Sequence, residues 1–308
     1  MPENLKIAIV IITYNRPGDM LALAKNIGRL NDIPGLLEEV IVVNNHSTLS
    51  YEKTEEYIRN NPHIPFRYYR AEENLGVSRG RNYAIGLSSA PLLVFLDDDA
   101  LFRDSDALGQ IRDIFNDAPA GGRPTGIASF KVFYYATRDF QVNAFPHKQF
   151  AARKHLHHFE APYFVGCAHA IRRTVFDSTG YYPANFFYGM EEYDLSYRTL
   201  QAGYSIVYDD RVTILHKESP GGRLPARDKL RGMWVNKSKV AFKYLPQRYF
   251  WSTACMWSLE YLKKSGFHLG GWLKGWKEVF TIPRTEKKQP LNAEAMHYLR
   301  KNEARLFY

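Results

Sequence analysis

The chain has 308 residues, of which 45% are hydrophobic, and a formal net charge of +9. A chain of this length and composition can bury a large core, which excludes a disordered tail, a fibre or a repeat array and leaves one large or two modest domains. Its two cysteines, Cys167 and Cys255, are too few for a disulfide framework and form no CxxC pair for zinc. The first apolar run, residues 7–12, is too short for a signal peptide, and no run approaches the roughly 18 apolar residues of a spanning helix. These features predict a cytoplasmic protein.

The positive charge is concentrated in the last third of the chain. Residues 217–308 contain 19 lysines and arginines against 7 acidic residues, whereas residues 1–216 contain 22 against 25. All five tryptophans also lie in residues 217–308. Tryptophan combined with lysine and arginine is typical of a surface that faces lipid headgroups or an anionic polymer. Nucleic acid is not expected as the partner, because no recognised nucleic-acid-binding module accompanies these residues.

The first hundred residues alternate between two kinds of pattern. Short apolar or β-branched runs predict strands at residues 6–13, 39–44, 66–71 and 92–96. The segments between them predict helices at residues 17–30, 51–59 and 77–88. Such alternation predicts a parallel sheet with right-handed crossovers and helices on both faces.

Polar residues follow each of these strands, at the sheet edge where ligands bind in open α/β folds. The most informative cluster is Asp97, Asp98 and Asp99, which directly follows a buried strand. Three adjacent carboxylates repel one another, so their placement favours a divalent cation with oxygen ligands. The alternative is a solvated acidic loop without a ligand.

An ordered series of motifs resembles the family 2 glycosyltransferases over about residues 5–217. In the first half these motifs are residues 13–16, 42–48, 74–82 and 97–99, and in the second half residues 164–168, 172–176, 189–198, 203–204 and His216. The resemblance implies an α/β fold of the GT-A type, a Rossmann-like mixed sheet flanked by helices. It implies a catalytic domain over residues 1–217, with a nucleotide-binding half (1–100) and an acceptor half (101–217). Residues 218–308 would form a basic, tryptophan-rich helical extension.

The resemblance also implies a donor site with a metal ion. Asp97, Asp99 and His216 would hold Mn²⁺ or Mg²⁺ beside the diphosphate of a nucleotide sugar. Asparagine stands at position 44, where many members have aspartate, so the base stays open, with UDP- or dTDP-sugars favoured. The other donor-binding residues implied are Thr13, Asn15, Arg16, Asn44, Asn74, Arg79, Asp97 and Asp98, the last facing the ribose.

The general base is expected at the start of a later helix, in the sequence Glu191-Glu192-Tyr193-Asp194. Glu192 replaces the aspartate that is common in the family and is the expected base, with Glu191 as its possible substitute. Acidic capping of a first helical turn, without chemistry, is the alternative.

The resemblance implies a metal-dependent, inverting, non-processive glycosyltransferase. It would transfer one hexose from a nucleotide diphosphate sugar to a hydroxyl of a glycan or glycolipid acceptor, in cell-surface polysaccharide biosynthesis of the cell envelope. A catalytically inactive nucleotide-binding scaffold is the first alternative. A nucleotidyltransferase is the second, although the chain lacks a glycine-rich phosphate loop of the GxGxRL type. The sugar, acceptor, linkage and any homo-oligomer are left open.

The basic extension predicts amphipathic helices. One apolar stripe combines Leu230, Met233, Trp234, Val240, Ala241, Tyr244 and Leu245, and a second combines Trp272, Leu273, Trp276, Val279 and Phe280. Packing against the catalytic domain explains such stripes, and so does peripheral binding to an anionic membrane that carries a lipid-linked acceptor. The second explanation would place the protein on the inner face of the cell membrane. Contact with acceptor or with another subunit also stays open.

Overall fold

The computed structural model describes residues 5–117, 122–222 and 224–306. The described strands form one mixed sheet. They are β1 (Ile7–Thr13), β2 (Leu37–Asn44), β3 (Phe66–Arg70), β4 (Leu92–Asp97), β5 (Ala100–Phe102), β6 (Thr125–Tyr134), β7 (His158–Glu160), β8 (Ala168–Arg172) and β9 (Ser205–His216). The order across the sheet is β3-β2-β1-β4-β8-β6-β9-β5, and β7 pairs with β9.

Helices cover both faces of this sheet and continue beyond it. They are α1 (Pro17–Ile27), α2 (Ile33–Leu36), α3 (Glu52–Asn60), α4 (Gly76–Leu87), α5 (Ala107–Asn116), α6 (Phe150–Arg153), α7 (Arg173–Thr179), α8 (Glu191–Gln201), α9 (Ala226–Tyr244), α10 (Gln247–Ser265), α11 (Leu269–Thr285) and α12 (Ala293–Lys301).

The first half of the sheet confirms the predicted alternation. Strands β3, β2, β1 and β4 are parallel neighbours, and each begins and ends within two residues of its predicted bounds. The pairing then changes, because β8 is antiparallel to both β4 and β6. The sheet is therefore mixed, as the GT-A resemblance implies.

The sheet is buried on both faces, which explains the unbroken apolar character of its central strands. Successive side chains of a strand point to opposite faces, so Ile9 and Ile11 of β1 join one apolar cluster while Val10 joins the other. The first cluster lies under α1, α2 and α5, and the second under α4, α7 and α8. This arrangement leaves the carboxyl edge of β1, β2 and β4 free for a site.

The C-terminal helices pack against the part of the molecule that contains the sheet. Val240 and Tyr244 of α9 and Leu299 of α12 belong to the same apolar cluster as Phe95 of β4. The hydroxyl of Tyr298 donates a hydrogen bond to the carbonyl of Ile206 at 2.9 Å. The stripe predicted on α9 is therefore a packing surface.

The other side of α9 forms a third apolar cluster with α10 and α11. Its centre is Trp234, which is fully buried, and it includes Phe250 and Tyr261 of α10 and Val279 and Ile282 of α11. Within the three described segments, no helix combines the length and hydropathy that crossing a membrane requires.

Candidate active site

The carboxyl edge of the parallel strands opens into a cavity of about 660 Å³. Segments distant in sequence converge on it: the turn after β1, the acidic end of β4, the entry to β8, the end of β9 and the first turn of α8. Among the residues that line it are Arg16, Asn45, Asn74, Arg81, Asp97, Asp98, Asp99, Gln141, Tyr163, Cys167, Tyr188, Glu191, Glu192, Tyr193, His216, Glu218 and Lys229.

Strand pairing brings the predicted metal ligands together. Asp97 ends β4, and His216 ends β9, where it pairs with Ala100 of β5. One ligand atom from each of Asp97, Asp99 and His216 lies within 4.8 Å of the other two. His216 Nε2 lies 3.2 Å from Asp99 Oδ1, and His216 Nδ1 lies 2.9 Å from Gln141 Oε1, which fixes the imidazole plane.

The charges of this cluster suit a divalent cation. Burial alone would lower the pKa of His216, but the hydrogen bond to Asp99 raises it to about 11, so a proton occupies the space between these side chains at neutral pH. Burial would raise the pKa of Asp99, but the same hydrogen bond and the charge of Arg16 lower it. Two carboxylates and an imidazole are a donor set that Mn²⁺ accepts readily and Mg²⁺ less so. A divalent cation would replace that proton as the positive charge among the carboxylates.

Arg16 provides a second positive charge beside the acidic residues. Its Nη1 lies 2.8 Å from Asp98 Oδ1 and 3.2 Å from Asp99 Oδ2. Asp98 is buried, and its other oxygen accepts a hydrogen bond from Thr13 Oγ1 at 2.7 Å. Burial raises the pKa of Asp98 to about 7, although Arg16 and Thr13 oppose the rise. Asp98 therefore holds Arg16 and the β1 turn in place.

Arg81 of α4 links the metal-ligand cluster to the start of α8. Its guanidinium lies 3.5 Å from Asp97 Oδ1 and 3.3 Å from Glu191 Oε1, and it donates to the Gly166 carbonyl at 2.9 Å. The Arg81 side chain is only 6% exposed. A buried arginine between two carboxylates fixes their separation, so Arg81 is a positioning residue for both.

The two glutamates that begin α8 have different surroundings. Glu191 is 2% exposed and contacts Arg81, whereas Glu192 is partly exposed and its carboxylate lies against the backbone of Gly166. Burial raises the pKa of both carboxyl groups, and their mutual repulsion raises that of Glu191 further. A raised pKa brings a carboxylate nearer to the basicity that a general base needs at neutral pH.

Asp194 is occupied by structural contacts. It accepts hydrogen bonds from Arg198 on its own helix and from Lys243 and Tyr244 of α9, and it is 1% exposed. This network fixes α8 against α9. It leaves Glu191 and Glu192 as the carboxylates of this segment that reach the cavity.

Of the eight predicted donor-binding residues, four line the cavity and four do not. Arg16, Asn74, Asp97 and Asp98 line the cavity. Four others lie outside the described cavity wall: Thr13, Asn15, Asn44 and Arg79.

Each of those four has a contact that explains its position, and for Thr13 it is the hydrogen bond to Asp98. Asn15 Oδ1 accepts hydrogen bonds from the backbone of residues 48 and 49, and Asn44 Oδ1 accepts one from the Ser47 N–H. Arg79 forms an ion pair with Glu73 at the surface. Asn15 and Asn44 thus shape the turns of this edge, as asparagine often does.

Several residues of the cavity were not singled out from the sequence. Arg81, Gln141 and Cys167 belong here, and so does Asn45, whose Nδ2 donates to Asn74 Oδ1 at 3.0 Å. Arg81 and Cys167 lie inside two motifs of the resemblance, residues 74–82 and 164–168, but the sequence does not indicate what either side chain contacts. Gln141 lies in no motif, and only the fold brings it to His216.

With this geometry established, comparisons define the class of the protein. Residues 8–180 match the family model described as "Glycosyl transferase family 2". Because the match spans more than half of the chain, the protein belongs to this family and is a glycosyltransferase. A Haemophilus influenzae (strain ATCC 51907 / DSM 11121 / KW20 / Rd) protein, named only as uncharacterized, is 29% identical over 180 residues, which are 58% of this chain and 92% of that protein.

Solved structures show the same fold at low sequence identity. GalNAc-T7 with UDP, GalNAc and Mn²⁺ matches with a TM-score of 0.66 and 14% identity, over 98% of this chain and 57% of that chain. The protein thus spans little more than half of GalNAc-T7. The mannosyltransferase PcManGT from Pyrobaculum calidifontis, with GDP-Man and Mn²⁺, has a TM-score of 0.61 and 15% identity, over 98% of this chain and 88% of that one. S. aureus TarS 1-349 with UDP-GlcNAc has a TM-score of 0.62 and 13% identity, over 97% and 88%. The fold is therefore GT-A.

Proposed function

We propose that the protein is a metal-dependent, inverting hexosyltransferase that transfers one sugar from a nucleotide diphosphate donor to a hydroxyl of a glycan or glycolipid. One observation carries this proposal: the Asp97, Asp99 and His216 cluster and the Glu191–Glu192 pair open into the same cavity. A site that only bound the donor would need the Asp97, Asp99 and His216 cluster alone. The Glu191–Glu192 pair would add a base that activates an acceptor hydroxyl.

Asp97, Asp99 and His216 would hold the metal ion, Mn²⁺ in preference to Mg²⁺. When bound, the ion would offset the charge that develops on the departing diphosphate. The presence of Mn²⁺ in the GalNAc-T7 and PcManGT structures supports the choice of metal. The nucleotide is UDP or dTDP by preference, which the UDP-containing structures of GalNAc-T7 and TarS support.

The residues of the chain itself would bind and orient the reactants. Arg16 would exchange its contact with Asp99 for a contact with the diphosphate, since a guanidinium binds carboxylate and phosphate alike. Glu192 would remove the proton of the acceptor hydroxyl as that oxygen attacks the anomeric carbon. The bond from this carbon to the diphosphate oxygen breaks on the opposite side, which inverts the anomeric configuration.

The acceptor would lie over the tyrosines at the α8 side of the cavity. Tyr163 and Tyr193 stack with ring centroids 4.6 Å apart, and both line the cavity with Tyr188. Tyr163 covers one face of the Tyr193 ring, and Lys237 Nζ lies 2.9 Å from its centroid on the other, so this wall would offer a glycan acceptor the ring edges and hydroxyl groups of its tyrosines. A lipid-linked glycan in cell-envelope polysaccharide assembly would account for the basic C-terminal helices, with the enzyme peripheral on the inner face of the membrane.

Calorimetric titration with UDP, dTDP and GDP, each with and without Mn²⁺, tests the donor site. We expect micromolar, Mn²⁺-dependent binding of one nucleotide. Asp99→Asn should abolish the Mn²⁺ dependence, whereas Asp104→Asn, at a surface ion pair with Arg103, should bind as the wild type does. If a folded wild-type protein binds none of the three, the motifs mark the fold only, and the inactive scaffold becomes the better explanation.

A further inference from the structure

The outer side of α11 carries an apolar stripe that is largely exposed. Leu269, Leu273, Trp276 and Phe280 follow the spacing of one helical face, and Leu269, Leu273 and Phe280 are 61%, 62% and 59% exposed. Trp276 is half-buried with its ring 5.5 Å from that of Trp234, and the other three are largely exposed, which is more than the scattered hydrophobics of an ordinary surface.

The neighbouring helix and the turn extend this apolar surface. Trp251 and Leu259 of α10 are 40% and 58% exposed, and Phe267 at the turn between α10 and α11 is 73% exposed. The rings of Trp251 and Phe280 lie 6.1 Å apart, so the contributions of the two helices are continuous. We call these residues, with the stripe on α11, the hairpin face.

The hairpin face is separate from the side of α11 that packs in the core. Val279 and Ile282 are fully buried in the cluster around Trp234. A side chain at Gly275 would collide with the Trp234 ring, so α11 already makes its closest approach to α9 there. The stripe predicted from sequence is thus divided: Val279 packs inward, and Leu273 and Phe280 point outward. Core packing accounts for the first group and leaves the second unexplained.

Positive charge surrounds the hairpin face. Residues 247–288 contain eight lysines and arginines against three glutamates. Lys274 and Lys277 directly follow Leu273 and Trp276, about 100° around the helix, and both are exposed. Lys263 and Lys264 are exposed at the end of α10. An apolar strip flanked by cations fits a bilayer interface with anionic headgroups.

We infer that the hairpin face docks onto a bilayer that contains anionic lipid, with the apolar side chains below the headgroups and the lysines among them. A second copy of the chain fits less well, because pairing two hairpin faces would bring two strongly basic surfaces together. The inference rests on the proposed function for its purpose, the delivery of a lipid-linked acceptor.

The position of the cavity is compatible with such delivery. Met233 and Lys229 of α9 line the cavity, while the adjacent Trp234 packs against α11. The hairpin face and the cavity are therefore separated by two helix layers, α9 and the hairpin, which is roughly 20 Å at roughly 10 Å for each helix. An acceptor anchored in the bilayer needs a glycan or spacer of at least that length.

Vesicle binding of the full-length protein tests the inference. We expect sedimentation with vesicles of phosphatidylcholine and phosphatidylglycerol, weakened by high salt, and little with phosphatidylcholine alone. Leu273→Glu should lower the bound fraction at least about tenfold, because it places a charge in the apolar strip. Leu156→Glu is the matched control: Leu156 is also exposed, at 43%, but belongs to the loop before β7, and the variant has the same net charge.

Each outcome decides between explanations. Absence of binding to the anionic vesicles, or equal loss in both variants, overturns the docking surface. A dimer without lipid that Leu273→Glu converts to a monomer overturns it in favour of a second copy. Nucleotide titration of Leu273→Glu separates the two proposals: normal nucleotide binding with lost vesicle binding supports both. If the wild-type protein binds vesicles but no nucleotide, the docking surface is supported and the proposed function is contradicted.

Discussion

Glu191 and Glu192 differ by one position in the chain and face different environments. Arg81 fixes the buried Glu191, while Glu192 extends toward the cavity past Gly166. A base must reach the acceptor hydroxyl, so Glu192 is the proposed base, and Glu191 would maintain the electrostatics around it.

Substitution of each glutamate by glutamine separates these roles. Glu192→Gln should lower the turnover of sugar transfer by about 10²- to 10⁴-fold, since the amide cannot accept the proton, and should leave Mn²⁺-dependent nucleotide binding unchanged. Glu191→Gln preserves shape and should lower turnover much less. Initial rates and nucleotide titrations of both variants provide the measurement. The assignment is reversed if Glu191→Gln shows the larger loss of turnover.

Gly166 permits the approach of Glu192. A Cβ at position 166 would fall well inside van der Waals contact with Glu192 Oε1. Gly166→Ala should therefore displace the carboxylate and lower turnover at least about tenfold, with nucleotide affinity within a few-fold of wild type. The control is Gly86→Ala, in α4, where an added Cβ meets no atom within 4 Å. Kinetics and titration of both variants check the expectation, and an unchanged turnover for Gly166→Ala would contradict the position given to Glu192.

Residues that lie together in a short motif were easier to predict than residues assembled by the fold. The acidic triplet is predicted from the chemistry of adjacent carboxylates after a buried strand, and His216 from the family resemblance; Asp97, Asp99 and His216 offer ligand atoms within 4.8 Å of one another and stay predicted metal ligands. Asn44 and Arg79 stay predictions for the donor site from the resemblance, and without donor their side chains make a turn contact and a surface ion pair. Gln141 could not be found, since its contact with His216 depends on the register of β6 and β9.

At the scale of elements, β9 shows how a local charge cluster stabilises an irregular strand. Its pairing with β6 shifts register between Asp209 and Thr213. Asp209 bridges this bulge: it accepts hydrogen bonds from Arg211 at 2.8 and 2.9 Å, and His158 Nδ1 of β7 lies 3.0 Å from it. Burial alone would raise the pKa of Asp209, but these hydrogen bonds lower it to about 2.

The lowered pKa predicts a pH-dependent stability. A carboxyl group whose pKa is depressed on folding stabilises the native state above its unfolded pKa, and this contribution is lost as the pH falls through the folded value. Asp209→Asn should therefore lower the free energy of unfolding by about 2 kcal/mol at pH 6, and the difference from wild type should shrink between pH 4 and pH 2. Urea unfolding at several pH values measures this difference. Asp177→Asn, exposed on α7, is the control, and a difference for Asp209→Asn that stays constant with pH would contradict the prediction.

The bounds of elements with a clear hydrophobic pattern are predictable from the sequence. Elements or helix faces that depend on tertiary contacts are not. Strands β1 to β4 needed only short apolar runs with turn residues around them. Helix α2 has four residues, too few to establish a period. On α11 the apolar residues span both the buried and the exposed sides, so the sequence pattern alone merged two faces into one stripe.

At the scale of the whole molecule, the C-terminal helices contribute to the core beneath the catalytic sheet. The boundary predicted after residue 217 follows the change in composition and the end of the resemblance. The structure adds that Tyr244 and Leu299 belong to the apolar cluster that also contains residues of β4 and β9, across this boundary, and that Asp194 of α8 is bound by two residues of α9. Composition indicates where the surface chemistry changes and carries no information about which core a helix joins.

A chain ending at residue 217 should therefore fail to fold cooperatively. Removal of residues 218–308 would expose the part of the apolar cluster that α9 and α12 share with α8 and β9, including Leu195 and Ile206, and would leave Asp194 buried without Lys243 and Tyr244. We expect the full-length protein to unfold in one thermal transition and the shortened chain to show none, or to be insoluble. Tyr298→Phe in the full-length chain is the milder comparison, because it removes only the hydroxyl that bonds to Ile206 and should cost about 1 kcal/mol. A soluble shortened chain with a sharp transition and wild-type nucleotide binding would show instead that the catalytic sheet folds without the extension, and the basic helices would then be an attached docking module.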